Sequence, residues 1–298
     1  MGMKPTLYKR LLRSRWELGL VKDGLDGVFA DKPLEVDWII NPCRDRWFAD
    51  PFVLDVTDDY VYVLAEEYEF KTRKGRIAKL SVNRRTHKID SFVILLELPT
   101  HLSFPNILRK DGHVYVYPES AYSGKLDLYE YDRLQEKLVF IQTICDDVVW
   151  DSSIFDMAGA PLLFTARTND YYLDIYSWDA DKSRFVFSQS IPSQDKSSRM
   201  AGQPIAYGGK TYIPTQYCEK VYGGGVVIKE VLPDGNTFSF KVVKRLESPH
   251  PKRRIRMHTL NVYKGVAIID VGGYDYPWFG KLILTLGRLW KRISKAKS

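Results

Sequence analysis

The sequence predicts an all-β chain, a five-bladed β-propeller followed by a C-terminal amphipathic helix. Three observations carry that prediction. Five segments, starting roughly fifty residues apart, repeat one order: polar motif, apolar strand, tight turn, apolar strand, polar end. Further strand-turn-strand patterns lie between them, which makes four strands per unit, the composition of a propeller blade. Aromatic residues are plentiful, with 19 Tyr, 14 Phe and 7 Trp, and aromatics favour strands.

The first unit runs through Phe48-Ala49-Asp50-Pro51-Phe52-Val53-Leu54, a turn at Asp58-Asp59, and Tyr60 to Ala65, ending at Glu66-Glu67. The second spans His101 to Leu108, a turn at Asp111-Gly112, and His113 to Tyr117, ending at Glu119-Ser120. The third has Asp151 to Phe155, a turn at Ala158-Gly159, and Pro161 to Thr165, ending at Arg167. The fourth has Arg199 to Ala206, a turn at Gly208-Gly209, and Lys210 to Ile213, ending at Gln216. The fifth has His258 to Tyr263, a turn at Lys264-Gly265, and Val266 to Ile269, ending at Asp270. The turns are rich in Gly and Asp because tight β-turns call for positive φ. The intervening hairpins include Gly75 to Val82 with Ile89 to Glu97, and Lys125 to Tyr131 with Lys137 to Ile144. A β-sandwich would also show regular strands. It has no reason to repeat a polar cluster at the same place in every unit, whereas the innermost strand of each propeller blade faces the axis.

Residues up to about Trp47 are expected to supply a strand that completes the last blade and closes the ring. The propeller thus occupies residues 1–277, and residues 278–298 form the helix. There Phe279, Leu282, Ile283, Leu286, Leu289, Trp290 and Ile293 fall at helical spacing, with Lys281, Arg288, Arg292 and Lys295 mainly on the other side. Such a helix either packs on the propeller or lies on anionic lipid.

The formal charge of +7 is concentrated at Lys4 to Arg15, at Lys281 to Lys297 and at Lys252, Arg253, Arg254 and Arg256. No nucleic-acid motif accompanies it, so a nucleic-acid partner is not expected, and basic ends also suit a membrane surface. Cys43, Cys145 and Cys218 are odd in number and far apart, which argues against a disulfide framework or zinc site and for a reducing compartment. The N-terminus lacks the apolar run of a secretory signal, and no stretch reaches the roughly 18 apolar residues of a spanning helix. The expectation is a cytoplasmic protein, peripheral at the inner face of the membrane.

Ring closure would gather Asp50, Glu66, Glu67, His101, Glu119, Asp151, Arg167, Arg199, Gln216, His258 and Asp270 at one mouth of a central funnel. So many ionisable groups near one axis are costly unless solvated, paired or used. Singly, Asp50 and Asp151 could cap turns, and His258 could be a satisfied core histidine. Together they read as a pocket for a sugar or glycan. Cleaving a glycosidic bond needs one carboxyl as acid and another as base or nucleophile. The expected catalytic groups are Asp50, Glu119 and Asp151, with Glu67, His101, Arg167, Arg199, Gln216, His258 and Asp270 binding substrate. No cofactor is expected, although an acidic funnel leaves room for an axial divalent cation. Gly223-Gly224-Gly225 precedes a strand rather than forming a phosphate loop, and no GxSxG or HExxH is present.

The ordered set Phe48-Ala49-Asp50-Pro51-Phe52, His101-Leu102-Ser103-Phe104-Pro105, Tyr117-Pro118-Glu119-Ser120, Leu128-Tyr129-Glu130-Tyr131, Arg199-Met200-Ala201-Gly202 and His258-Thr259-Leu260 resembles one group of propellers. That group holds the N-terminal domain of plant glucosamine inositolphosphorylceramide transferases and bacterial relatives linked with surface-polysaccharide synthesis. More distantly, the chain is similar to the five-bladed glycoside hydrolases of family 43. That likeness implies a general base at Asp50 and an acidity-tuning role at Asp151. The family's acid precedes Gly-Pro in the fourth blade, where this chain reads Met200-Ala201-Gly202-Gln203-Pro204, with no carboxylate. Glu119 is the best substitute, followed by Glu66 or Glu67.

The leading expectation is therefore glycosyl transfer in the synthesis of a surface polysaccharide or glycolipid, with a nucleotide sugar as donor and a lipid-linked acceptor. The alternatives are a hydrolase with Glu119 as replacement acid, or a glycan-binding propeller without catalysis.

Overall fold

In the computed structural model, residues 13–157, 160–168, 170–235 and 237–275 are described. Among the described residues, twenty-one strands form five sheets arranged as successive blades. Blade 1 consists of β3 (Arg46–Val56), β4 (Tyr60–Glu69), β5 (Gly75–Asn83) and β6 (Ile89–Leu96) in sequence order. Blade 2 follows with β7 (Ser103–Lys110), β8 (His113–Glu119), β9 (Leu126–Asp132) and β10 (Lys137–Cys145). Blade 3 has β11 (Trp150–Met157), β12 (Ala160–Ala166), β13 (Tyr172–Asp179) and β14 (Arg184–Pro192). In blade 4 the inner strand is split into β15 (Ser197–Met200) and β16 (Ile205–Tyr207), both paired with β17 (Lys210–Tyr217), before β18 (Gly225–Asp234) and β19 (Thr237–Leu246). Blade 5 joins β20 (Leu260–Tyr263) and β21 (Val266–Tyr274) to two strands from the other end of the chain.

Those two strands are β1 (Ser14–Val21) and β2 (Val36–Trp38), linked by the short helix α1 (Gly24–Phe29). The N-terminal segment thus supplies two strands where the sequence predicts one. β1 lies antiparallel to β21 from Ser14↔Tyr274 to Val21↔Ala267, so the ring closes through a full strand of hydrogen bonds. Arg253 and His250 reach across this seam to Glu17, at 2.8 and 3.0 Å. The proposed C-terminal helix, 278–298, and the turn at Ala158-Gly159 lie outside the described residues.

Turn chemistry follows the sequence. Asp111-Gly112, Gly208-Gly209 and Lys264-Gly265 each have positive φ at both positions, the two-residue geometry whose twist matches flanking strands. The Asp58-Asp59 turn is wider, closed by Thr57 N–H donating to the Tyr60 carbonyl at 2.9 Å.

Blades pack through apolar faces. Phe52 of blade 1 meets Phe104 of blade 2 edge to face, with ring centroids 4.9 Å apart, and Phe164 of blade 3 meets Phe238 of blade 4 at 5.6 Å. Burying such a ring is worth about 3–5 kcal/mol against alanine. This packing holds the five inner strands at fixed spacing around the axis.

Candidate functional site: a carboxylate-ringed axial cavity

The inner strands of the first three blades share one irregularity. Each carries a left-handed residue where its register slips: Asp50 (φ 49), Phe104 (φ 44) and Asp151 (φ 47). Such a backbone is strained for residues other than glycine and persists only when surrounding contacts hold it. Here each turned N–H donates to a carboxylate presented by the preceding blade. Asp50 N donates to Asp270 Oδ2 at 3.0 Å, Phe104 N to Asp50 Oδ2 at 3.1 Å, and Asp151 N to Glu119 Oε2 at 2.9 Å. The carboxylates therefore stitch blades 5 to 1, 1 to 2 and 2 to 3.

A second set of polar contacts continues around the ring. Asn106 Nδ2 donates to Ser152 O and Ser153 Oγ, Ser153 Oγ donates to Gly202 O, and Asn261 Nδ2 donates to Pro51 O. Asn261 Oδ1 accepts the Gln203 N–H at 2.9 Å. Gly202 has no room for a side chain, because a Cβ there would sit 2.1 Å from Leu260 O. Sequence reasoning missed Asn106, Ser153 and Asn261, since one polar residue inside a strand carries no periodic signal.

The ionisable groups divide into two clusters, each built on one cation. In the first, His258 lies between Asp270, with Nδ1 2.7 Å from Oδ2, and Asp50, with Nε2 3.6 Å from Oδ1. The Nδ1 contact is an ion pair rather than an aligned hydrogen bond. Burial disfavours a charged ring, yet the two carboxylates push the His258 pKa up to about 9. Asp270 is held below the usual carboxylate range: burial opposes ionisation, but His258 and the N–H groups of Asp50, His258 and Thr259 outweigh it. Asp50 moves the other way, well up, through burial. The cluster thus centres on a charged pair, Asp270 with His258, beside Asp50, the harder of the two carboxyls to ionise.

In the second cluster Arg199 is the cation. Its Nε donates to Asp151 Oδ2 at 2.7 Å, and Nη2 lies 3.6 Å from Glu119 Oε2. Gln216 Nε2 donates to the same Asp151 oxygen at 2.8 Å. Burial, reinforced by the charge of Asp151, lifts Glu119 well above the normal carboxyl range despite Arg199.

The cavity has a volume of about 540 Å³ and is lined by Asp50, Glu66, His101, Glu119, Arg199 and His258. Aromatic residues form much of the rest: Trp16, Trp47, Tyr68, Tyr122, Trp150 and Tyr222. Trp16 stacks on His258 with centroids 3.9 Å apart, and Trp47 stacks on Tyr68 at 4.6 Å. Flat apolar faces beside hydrogen-bonding groups suit the two surfaces of a pyranose ring. His101 accepts the Gly75 N–H on Nδ1 at 3.0 Å, which assigns its other proton to Nε2, 3.2 Å from Glu66 Oε1. A Cβ at Gly75 would come within 2.7 Å of both Glu66 and His101, so only glycine permits this pair.

Two predicted binding residues lie away from the cavity. Glu67 is buried between Arg46 Nη1 at 2.6 Å and Arg76 Nε at 2.9 Å. Arg167 pairs with Asp174 at 3.2 Å and covers the Phe187 ring. Strand periodicity explains both, because successive side chains point to opposite faces. Glu66, opposite Ala49, holds the same place as Glu119 opposite Ser103. In blade 3 that place, opposite Trp150, belongs to Ala166. Asp151 and Asp270 stand behind the wall and position its residues. Gln216 lines an adjoining cavity of about 270 Å³ that shares Arg199 and Tyr222.

Asp50, His258 and Asp270 are the one group of potential metal ligands close enough to share an ion among the described residues. They fit a metal poorly. Asp270 already accepts three backbone N–H bonds, Asp50 Oδ2 accepts one, and the imidazolium occupies the centre as the local cation.

Residues 41–264 match the family model described as glucosamine inositolphosphorylceramide transferase 1, N-terminal. The chain belongs to this family. It is 25% identical over 199 residues to glucosamine inositolphosphorylceramide transferase 1 of Arabidopsis thaliana and 24% identical over 196 residues to that of Oryza sativa subsp. japonica. Each match covers 62% of this chain and 26% of the relative, so the chain corresponds to about a quarter of those proteins. Among solved structures it resembles a thermostable family-43 glycoside hydrolase, with TM-score 0.52, 13% identity, and coverage of 74% of this chain and 85% of that one. It also resembles the GH43_1 enzyme from Xanthomonas citri complexed with xylose, with TM-score 0.52, 12% identity, and coverage of 77% and 88%. At such identity the likeness establishes the fold, a five-bladed propeller shared with carbohydrate-active proteins.

Proposed function

We propose that the axial cavity takes a glycosyl unit and that the protein acts in glycosyl transfer during synthesis of a surface glycoconjugate. The observation that carries this reading is Glu119, a carboxyl at the wall of an aromatic-lined cavity whose pKa burial pushes well above the usual carboxylate range. A proton donor of this kind serves the departure of an oxygen from the anomeric carbon. In transfer, the bond from that carbon to the leaving oxygen breaks with its electron pair on oxygen, which takes the Glu119 proton. The acceptor hydroxyl oxygen bonds to the carbon and its proton passes to Glu66, whose Oε1 has no aligned hydrogen bond. Exchange with solvent resets both groups.

Asp50 is less suited to the base role that the family-43 resemblance implies, because burial pushes its pKa well above the usual carboxylate range and one oxygen is tied to Phe104 N–H. It acts as a positioning residue in this scheme. The absence of a carboxylate at buried Ala201 and at Gly202 favours transfer over ordinary family-43 hydrolysis. The same absence favours the second reading, glycan binding without turnover.

Incubation with nucleotide sugars and lipid-linked acceptors, and separately with nitrophenyl glycosides, tests the proposal. Product in the first assay that is lost in Glu119→Gln supports transfer. Product only in the second makes the protein a hydrolase, and saturable sugar binding with neither product makes it a binding module. The reading also places the basic segments Lys4 to Arg15 and Lys281 to Lys297 against anionic lipid. Co-sedimentation with anionic but not zwitterionic vesicles is the expected result, and equal recovery with both refutes the lipid contact.

A further inference from the structure

Three cations line the axial cavity, and two are neutralised by the protein. Arg199 is matched by Asp151 and Glu119, and His258 by Asp270 and Asp50. Arg256 is different. No carboxylate lies within ion-pair distance of it among the described residues, and its Nε is buried without a partner. Nearby, Arg253 meets Glu17 and Asp275 and Arg15 meets Asp275, while Lys252 and Arg254 are exposed to solvent.

Arg256 is also held firmly for an unmatched charge. Its N–H donates to Gly272 O at 3.1 Å and its carbonyl accepts Gly272 N–H at 2.9 Å, which fixes the backbone beside β21. Nη1 donates to Ser14 Oγ at 3.2 Å, and the guanidinium lies 5.8 Å from the Trp16 ring whose plane also stacks on His258. A partly buried guanidinium without a counter-charge is unfavourable alone and gains most from a planar or tetrahedral oxyanion.

We propose that Arg256 is the anion-recognition residue of the axial cavity, and that the glycan it accepts bears a phosphoryl or carboxylate group beside a sugar ring. This rests on the glycosyl reading of the cavity and narrows it to charged sugars. The other walls restrict where the anion sits, since Asp50, Glu66 and Glu119 line the cavity too. The charged group belongs on the Trp16 side, with the ring extending toward Glu119.

Calorimetric titration with matched ligands tests the assignment. Glucose, galactose, mannose and N-acetylglucosamine are compared with their 1-phosphates, and glucose and galactose with their uronic acids. In the wild-type protein one charged ligand binds at least tenfold tighter than its neutral partner. Whether the phosphates or the uronates show the gain identifies the anion. Arg256→Gln collapses that ratio toward one, and Arg256→Lys retains part of it. Equal binding of charged and neutral partners overturns the proposal while leaving the glycosyl reading intact. A Gln variant that weakens both partners equally also overturns it, by making Arg256 structural. Binding of no sugar in any form overturns both.

Discussion

The cavity holds two carboxylate pairs built around different cations, and the contrast shows how one fold separates support from chemistry. In the His258 cluster Asp50 and His258 line the cavity, while Asp270 is fully buried behind them and accepts backbone N–H bonds from two blades. Its charges hold the ring together. The Arg199 cluster has the same count of acids, but Glu119 fronts the cavity while Asp151 takes most of the pairing. An arginine stays charged at any physiological pH, so this cluster keeps its cation. A histidine can lose its charge, which makes the first cluster titratable.

The largest expected effect follows from removing the cation on each side. His258→Leu strands Asp270 without a counter-charge and should cost about 3–5 kcal/mol of stability. Arg199→Leu should cost less, about 2 kcal/mol, because Gln216 still bonds Asp151. Chemical denaturation of both variants measures the order, and a reversed order would undo the division of roles. The pH dependence sharpens the same contrast. The folded-state pKa of His258 is raised from 6.5 to about 9, so its stabilisation is complete below 6.5 and is lost as pH rises through 9. In an NMR titration one imidazole should change charge near pH 9. If every histidine titrates at or below 6.5, the imidazolium assignment is wrong.

Glu119→Gln should lower turnover at least a hundredfold, about 2.7 kcal/mol of barrier, with the melting temperature nearly unchanged. Asp50→Asn should lower turnover far less than Glu119→Gln and leave stability nearly unchanged, because the Asn side-chain carbonyl can still accept the Phe104 N–H. Comparable losses of turnover in the two variants, at intact stability, would return Asp50 to the catalytic machinery.

Much of this geometry was legible because propeller repeats place polar motifs at the inner ends of strands. Asp50, Glu119, Asp151, Arg199 and His258 stand out in sequence as polar breaks in apolar runs, and ring closure brings them together. Glu67 and Arg167 show the limit. Choosing between Glu66 and Glu67, or between Ala166 and Arg167, needs strand register to one residue, and the bulges that set it leave no compositional mark. The aromatic wall was hidden for another reason. Trp16 reaches His258 only because β1 completes the blade of β21, a contact 242 positions apart in the chain that no local pattern encodes. Arg256 looks like one more residue of a basic cluster in sequence; in the structure Arg253 is paired, Lys252 and Arg254 are exposed, and Arg256 alone of the four lines the cavity.

The smallest expected effect lies at the seam of the ring. Burial works against ionisation of Glu17, but hydrogen bonds from His250 and Arg253 prevail and hold its pKa down to about 2. A lowered carboxylate pKa stabilises above the unfolded value of 4.5, and that contribution fades as pH falls toward 2. The side chain is about one-third exposed, so solvent screens the pair, and Glu17→Gln should cost only about 1 kcal/mol at neutral pH. The difference between variant and wild type should shrink below pH 4. A loss of several kcal/mol would mean that charge, rather than the β1–β21 ladder, closes the propeller, and the seam would then belong with the His258 cluster as an electrostatic joint.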